Sequence, residues 1–275
     1  MRRERPVWML MLSIAMALMG DRAAIAGTRN SGDATFFSVA DLGYDHSAVP
    51  TLKGGRAAKP RLWPATVYSI SSLGSCTSTL VGPRVLIMAA HCVGNGRQVT
   101  IAVGSRTYTG TCSHPATYEG NPPNPTADWA LCLMNDDPHV AYERINTDPS
   151  RLAVRQELTL SGLGCTDDLG SNDGIYRIGE ALIATLPAGS NNYISTTGMA
   201  VLCLGDSGGG AYLFANPQDE RGRRVQVAVN AEVVGRTYSQ LASTSTIDAV
   251  AFFTAWSTTH AARICGLTPD PLGCR

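Results

Sequence analysis

Three short segments of the chain carry side chains that could together perform acyl transfer. Residues 205–209, Gly-Asp-Ser-Gly-Gly, place the Ser207 hydroxyl in a glycine-lined turn, where backbone N–H groups can face a reacting carbonyl. His91 follows one apolar run, and Asp128 stands at the head of another. A base, an orienting acid and a nucleophile therefore occur in the order His, Asp, Ser.

These segments give the chain a resemblance to secreted serine endopeptidases of the chymotrypsin/trypsin family, over about residues 52–256. Matching segments occur in family order at 76–81, 88–92, 127–131, 162–164 and 205–209. The resemblance implies an all-β fold, in which two six-stranded antiparallel β-barrels pack around a cleft and a C-terminal helix lies on the second barrel. It also implies a monomer that acts on protein or peptide substrates.

The mechanism expected for such a site follows from the chemistry of a serine hydroxyl, which is a poor nucleophile at its own pKa. His91 is the candidate base, and Asp128 would hold its imidazole in the tautomer that leaves the other nitrogen free. The backbone N–H groups of Gly205 and Ser207 would stabilise the tetrahedral oxyanion. Each residue alone is more typical of a turn or a core, so the prediction depends on their joint order.

Strand periodicity independently predicts an all-β domain. Short runs rich in Val, Ile, Thr and Tyr lie between Gly, Pro and Asn residues. The runs are 65–70, 76–81, 84–89, 98–103, 129–134, 157–160, 175–186, 210–214 and 225–234. Residues 247, 250, 251, 254 and 255 fall at helical spacing after Ser245 and Thr246, which predicts one helix. We expect barrels at 52–147 and 148–262, followed by a disulfide loop at 263–275.

The N-terminal segment predicts secretion. Arg2, Arg3 and Arg5 precede an apolar run of about 14 residues, too short to span a bilayer, and small residues follow at a cleavage site. Residues 1–26 are therefore expected to be a signal peptide, and 27–51 a pro-segment or a flexible extension. Basic and acidic residues balance at 22 each, so nothing indicates a nucleic-acid partner. We expect an extracellular or periplasmic protein without a membrane anchor.

Eight cysteines in an oxidising compartment predict up to four disulfides. The resemblance implies a Cys76–Cys92 bridge beside the catalytic histidine. Cys112 and Cys132 flank the Asp128 segment, Cys165 is the remaining candidate partner of Cys203, and Cys265 with Cys274 would close a small loop. The alternative, zinc ligation, needs clustered Cys and His at ligand spacing, so neither a metal nor another cofactor is expected.

The activation segment departs from the family pattern. Leu52 occupies the position at which the active chain of related zymogens begins after cleavage. In those relatives, the new N-terminal amine pairs with the carboxylate that precedes the catalytic serine, which is Asp206 in this sequence. Thr51 precedes Leu52 in place of Arg or Lys, so tryptic self-activation is not indicated. Either another protease cuts there, or Asp206 is satisfied differently.

The primary substrate pocket also departs from trypsin-like relatives. Val201, six positions before Ser207, stands where those relatives carry the aspartate that selects Arg or Lys. An unpaired cation would be costly to bury there, which favours an apolar or small residue before the scissile bond. Asn230, Ala231 and Glu232 fall on the pocket wall, where Glu232 would either narrow the pocket or attract a basic residue.

Two other functions remain open on the same fold. Some relatives keep the barrels and lose the chemistry, so a non-catalytic binding protein is one alternative. A secreted esterase with the same triad is the other, because an acyl-enzyme serves both bonds. The strand-to-helix pattern of the esterase Gly-x-Ser-x-Gly elbow is absent after Ser207.

Overall fold

The computed structural model describes residues 52–165, 173–216, 219–235, 237–270 and 273–275. The expected signal peptide (1–26) and pro-segment (27–51) lie outside the described residues. The described chain begins with a two-residue strand, β1 (Arg56–Ala57), which pairs with a strand of the second of two barrels.

The first barrel is a closed sheet of six antiparallel strands in the order β2-β3-β4-β7-β6-β5. Its strands are β2 (Thr66–Ser71), β3 (Gly74–Gly82), β4 (Val85–Met88), β5 (Gln98–Val103), β6 (Arg106–Ser113) and β7 (Ala130–Met134). Its interior is filled by buried aliphatic side chains, including Leu80, Ile87 and Ile101. Closure leaves no unpaired sheet edge in this barrel.

The second barrel is also antiparallel, with the strand order β9-β10-β13-β12-β11-β8, and β9–β8 pairing closes it. Its strands are β8 (Glu157–Gly162), β9 (Arg177–Thr185), β10 (Tyr193–Gly198), β11 (Gly210–Phe214), β12 (Arg224–Val234) and β13 (Tyr238–Ser243). Leu52 packs into its core with Leu158, Leu160 and Ile194. Residues 135–156, between β7 and β8, include the expected domain boundary at 147/148.

One helix, α1 (Ile247–His260), follows the second barrel. The Thr246 side chain accepts a hydrogen bond from the backbone N–H of Ala249, which caps the first turn, and Ala261 ends the helix in a left-handed conformation. The side chains of Phe253 and Trp256 are buried, so one side of the helix faces the protein interior. The predicted all-β fold of two six-stranded barrels with a C-terminal helix is confirmed.

Four disulfides join the cysteines in the pairs that were expected from the sequence: Cys76–Cys92, Cys112–Cys132, Cys165–Cys203 and Cys265–Cys274. The last closes the small C-terminal loop. In the described part of the chain, no helix combines the length and the hydropathy needed to cross a membrane.

Candidate active site

His91 lies in a short 3-10 turn, Ala90–Cys92, directly after β4. The neighbouring Cys92 is bonded to Cys76 on β3, so this turn is tied to the adjacent strand. A disulfide that closes a loop of this length can stabilise the fold by about 3 kcal/mol through the unfolded state. The His91 side chain is 38% exposed and therefore open to solvent on one side.

Asp128 lies two residues before the start of β7. Its side chain is almost completely buried, with 3% exposed. Its Oδ1 accepts a hydrogen bond from the His91 backbone N–H at 2.9 Å, and its Oδ2 lies 2.7 Å from His91 Nδ1. A carboxylate can only accept at that distance, so the imidazole carries its proton on Nδ1. The Nε2 lone pair is then available to take a proton from another group.

Trp129 fixes Asp128 at the junction of the barrels. Its ring is fully buried, and Nε1 donates a hydrogen bond to the carbonyl oxygen of Ala242 on β13 at 3.1 Å. The segment that leads into β7 is therefore hydrogen-bonded to the second barrel, while β7 itself pairs with β4 of the first barrel.

The charges around His91 favour its protonated form. Burial lowers the pKa of His91, but the hydrogen bond from its ring to Asp128 and the negative charges of Asp128 and Glu232 raise it above the usual value. Glu232 is exposed at the end of β12, so the substrate-pocket segment acts electrostatically on the candidate base.

The turn that carries Ser207 is packed against the first barrel. Gly208 has a φ of +82°, and a Cβ there would lie 2.2 Å from the carbonyl oxygen of Thr77 and 3.1 Å from the backbone nitrogen of Ala89. The Ser207 carbonyl accepts a hydrogen bond from the Thr77 N–H at 3.0 Å. Only glycine allows this approach, which holds Ser207 against the chain two residues before His91.

Thr77 is a positioning residue to which sequence reasoning gave no role. Its hydroxyl donates to the carbonyl oxygen of Gly205 at 2.8 Å and accepts from the Leu163 N–H at 2.9 Å. The side chain is fully buried on β3. The available signal was a run of three hydroxyl residues, 77–79, directly before the apolar pair Leu80 and Val81, because hydroxyls buried on a strand need partners.

Two backbone N–H groups of the turn have no acceptor among the described residues. These are the amides of Gly205 and Ser207, while the intervening Asp206 donates to Cys203 and the following Gly208 donates to Asn230. Gly205 has a φ of +96°, a conformation that glycine adopts without steric cost. Two free donors beside a hydroxyl are the arrangement that an oxyanion requires.

The Ser207 hydroxyl lies 3.5 Å from the carbonyl oxygen of Ala231. Within the described residues it makes no hydrogen bond to His91. Contacts between a nucleophile and its base are often long without substrate and shorten on binding. The structure therefore brings His91 and Asp128 into direct contact and holds Ser207 on the neighbouring loop.

Asp206 turns away from the cleft into the second barrel. It is fully buried, and its carboxylate accepts hydrogen bonds from the N–H groups of Gly164 and Cys203, both at 2.8 Å. A Cβ on Gly162 would lie 2.0 Å from Asp206 Oδ1, so the glycine leaves room for the carboxylate. Burial raises the pKa of Asp206 to about 7, although both hydrogen bonds and the charge of Arg177 lower it.

Leu52, the expected partner of Asp206, is buried in the same barrel, with 1% exposure. Within the described residues, no hydrogen bond or ion pair joins Leu52 to Asp206. Lys53 follows, and its carbonyl oxygen accepts from the Val201 N–H at 2.9 Å. The activation segment and the floor of the expected pocket are therefore adjacent.

The four residues expected in the substrate pocket occupy different environments. Val201 is buried and Ala231 lies beside the Ser207 hydroxyl, whereas Glu232 is exposed. The Asn230 side chain points into the protein: Nδ2 donates to the carbonyl oxygens of Ser161 and Asp206 at 2.7 and 3.1 Å. Asn230 thus anchors the serine turn from behind.

Among the residues that the structure describes, two groups of side chains lie close enough together to suggest metal ligation: Cys76 with His91 and Cys92, and Cys265 with Asp270 and Cys274. In both groups the two cysteines are bonded to each other. Thiolates are the form that ligates a metal, so these disulfides offer none.

Comparison with known proteins identifies one family and many similar folds. A family model described as Trypsin matches residues 52–257. A structure described as HBP at atomic resolution has 14% identity and a TM-score of 0.59, covering 79% of this chain and 98% of that one. A mutant of human heparin binding protein has 16% identity and the same TM-score, covering 79% and 99%. No curated protein matches the sequence.

Proposed function

Because the chain belongs to the trypsin family through residues 52–257, we propose that it is a secreted serine endopeptidase. Ser207 is the nucleophile, His91 the general base and Asp128 the residue that orients the base. The four disulfides support passage through an oxidising compartment.

The contact between His91 Nδ1 and the buried Asp128 carboxylate, at 2.7 Å, carries this proposal. It leaves Nε2 to take the Ser207 proton as the hydroxyl oxygen bonds to the peptide carbonyl carbon. The carbonyl electron pair moves to the oxygen, which the Gly205 and Ser207 amides receive. His91 then gives the proton to the leaving amine, and water hydrolyses the acyl-enzyme with His91 as the base again.

Substitution of the nucleophile tests this proposal. We expect Ser207→Ala to lose nearly all peptide hydrolysis, because only oxyanion and binding contributions then remain. Ser72→Ala, at an exposed serine, should keep full activity. Normal hydrolysis by folded Ser207→Ala protein would refute the assignment. If the wild-type protein hydrolyses esters but not peptides, the esterase alternative is favoured.

For substrate choice, we propose an apolar or small residue before the scissile bond. Val201 carries no charge to pair with Arg or Lys, and Met199 and Leu204, two and three residues away in the sequence, are exposed and apolar. A peptide library tests this preference. Cleavage mainly after Arg or Lys, lost on Glu232→Ala, would reject it.

A non-catalytic binding protein is the second candidate. It is favoured by the two structural neighbours, one described as HBP and the other as a mutant of human heparin binding protein. Their identities of 14% and 16% support a shared fold alone. Failure of the processed wild-type protein to hydrolyse any peptide or ester would support this candidate over the enzyme.

A further inference from the structure

A cavity of about 920 Å³ opens on the second barrel and shares no residue with the His91 site. Leu213 and Phe214 line it at the end of β11, whereas Ser207 lies just before the start of that strand. At about 3.3 Å per residue, the strand alone separates the two sites by about 13 Å. The cavity is therefore a second, distinct concave site.

The cavity wall is rich in arginine. The six arginines that line it are Arg144, Arg151, Arg221, Arg223, Arg224 and Arg275, and Asp148 is the acidic residue among the described lining residues. Three further carboxylates contact these residues: Glu143 and Asp270 pair with guanidinium groups, and Asp219 accepts a hydrogen bond from the backbone N–H of Arg221. The arginines thus exceed the side-chain carboxylates by two, although the whole chain has a formal net charge of zero.

Part of the positive charge is committed to the fold. The buried Arg224 guanidinium stacks 3.6 Å from the Trp63 ring and donates from Nε to Glu143 at 3.1 Å. Arg275 also reaches Glu143, with Nε 3.5 Å from the carboxylate. One buried carboxylate therefore serves two guanidinium groups.

The remaining arginines differ in how strongly they are paired. Arg144 forms an ion pair with Asp270, and Arg151 has only a long contact of 3.9 Å with Asp148, in which both side chains are more than half exposed. Such exposed pairs contribute little. Arg221 and Arg223 are exposed and have no ion-pair partner within the described residues.

We propose that this cavity binds a compact ligand carrying two or more phosphate or sulfate groups. Guanidinium groups reach it from the 144–151 segment, from the hairpin that joins β11 to β12, and from residue 275, so they approach from several directions. A tetrahedral oxyanion presents oxygens in several directions, whereas a planar carboxylate matches one guanidinium fork. Leu213, Phe214 and Val225 provide apolar surface for the ligand scaffold.

The size of the cavity fits this class of ligand. A volume of about 920 Å³ lies at the upper end of the range of about 300 to 1,000 Å³ typical of small-molecule sites. The proposal concerns charge and shape on this face, and it does not depend on peptidase activity.

Calorimetric titration of the full chain with Ser207→Ala tests the proposal without interference from proteolysis. The probes are myo-inositol hexasulfate and myo-inositol hexakisphosphate, which share one scaffold and one number of charged groups, each titrated at low and at physiological ionic strength. We expect saturable binding at one site that weakens with salt. Stronger binding of one probe would identify sulfate or phosphate as the preferred group.

Removal of the weakly paired arginines should weaken binding selectively. We expect Arg151→Gln, Arg221→Gln and Arg223→Gln together to raise the Kd about tenfold or more, since charge-assisted hydrogen bonds are lost. A control with Arg61→Gln, Arg97→Gln and Arg106→Gln removes equal charge from exposed positions outside the cavity. Equal loss in both variants, unchanged affinity in the first, or no binding to the wild-type cavity would overturn the proposal.

Discussion

Glu232 connects the proposed substrate pocket to the acid–base chemistry of His91. Its exposed carboxylate adds to the effect of Asp128 in raising the pKa of His91. His91 acts as a base only when neutral, so a higher pKa moves the onset of activity to higher pH.

Glu232→Gln should therefore move the acidic limb of the kcat/KM profile to lower pH, because the imidazolium loses a favourable charge. The measurement is hydrolysis of one uncharged peptide from pH 5 to 9. Glu180→Gln, which removes another exposed carboxylate on β9, should leave the limb in place. An unchanged profile in Glu232→Gln would show that the carboxylate does not act on His91.

The sequence was sufficient to nominate His91, Asp128 and Ser207, because their residue types and order are unusual together. It did not reveal the effect of Glu232 on the pKa of His91. The β12–β13 register shifts between Asn230 and Glu232. The sequence predicted that Asn230 lies on the pocket wall. In the structure, the Asn230 side chain instead donates hydrogen bonds to the carbonyl oxygens of Ser161 and Asp206. A register shift changes the face to which a side chain points, and local spacing does not encode it.

Strand β3 does more than close the first barrel, because Thr77 links it to the serine turn and to Leu163. We expect Thr77→Val to lower kcat about tenfold, since the Gly205 carbonyl and the Leu163 amide each lose a buried partner. Thr100→Val, the same change at a half-buried threonine on β5 of the same barrel, is the control. Equal activity of the two variants, with similar thermal stability, would show that Thr77 does not position the turn.

Nine of the strands coincide with the apolar runs read from the sequence, and these runs include β2, β5 and β7. The two-residue strand β1 was missed. The longer strands β6, β10 and β13 were missed as well. Their sequences, RTYTGTCS, YISTTG and YSQLAS, contain mostly polar or small residues. Pairing with neighbouring strands on both sides, rather than local hydrophobicity, makes these segments extended.

Maturation concerns the molecule as a whole, because Leu52 at the start of the described chain and Asp206 in the serine turn are both buried. We predict a latent secreted form that begins near Gly27 and an active form that begins at Leu52. The new amine would supply a countercharge for a carboxyl whose pKa burial raises to about 7. N-terminal sequencing beside an activity assay checks this, and full activity in a chain that begins near Gly27 would contradict it.

The central claim is that Ser207 is an activated nucleophile, and covalent labelling tests it most directly. Protein processed to begin at Leu52 is treated with a fluorophosphonate, digested and mapped by mass spectrometry. We predict one adduct on Ser207 that is absent after prior conversion of His91 to Ala, since the hydroxyl then lacks its base. No adduct, or an adduct on Ser207 that forms equally fast without His91, would contradict the account.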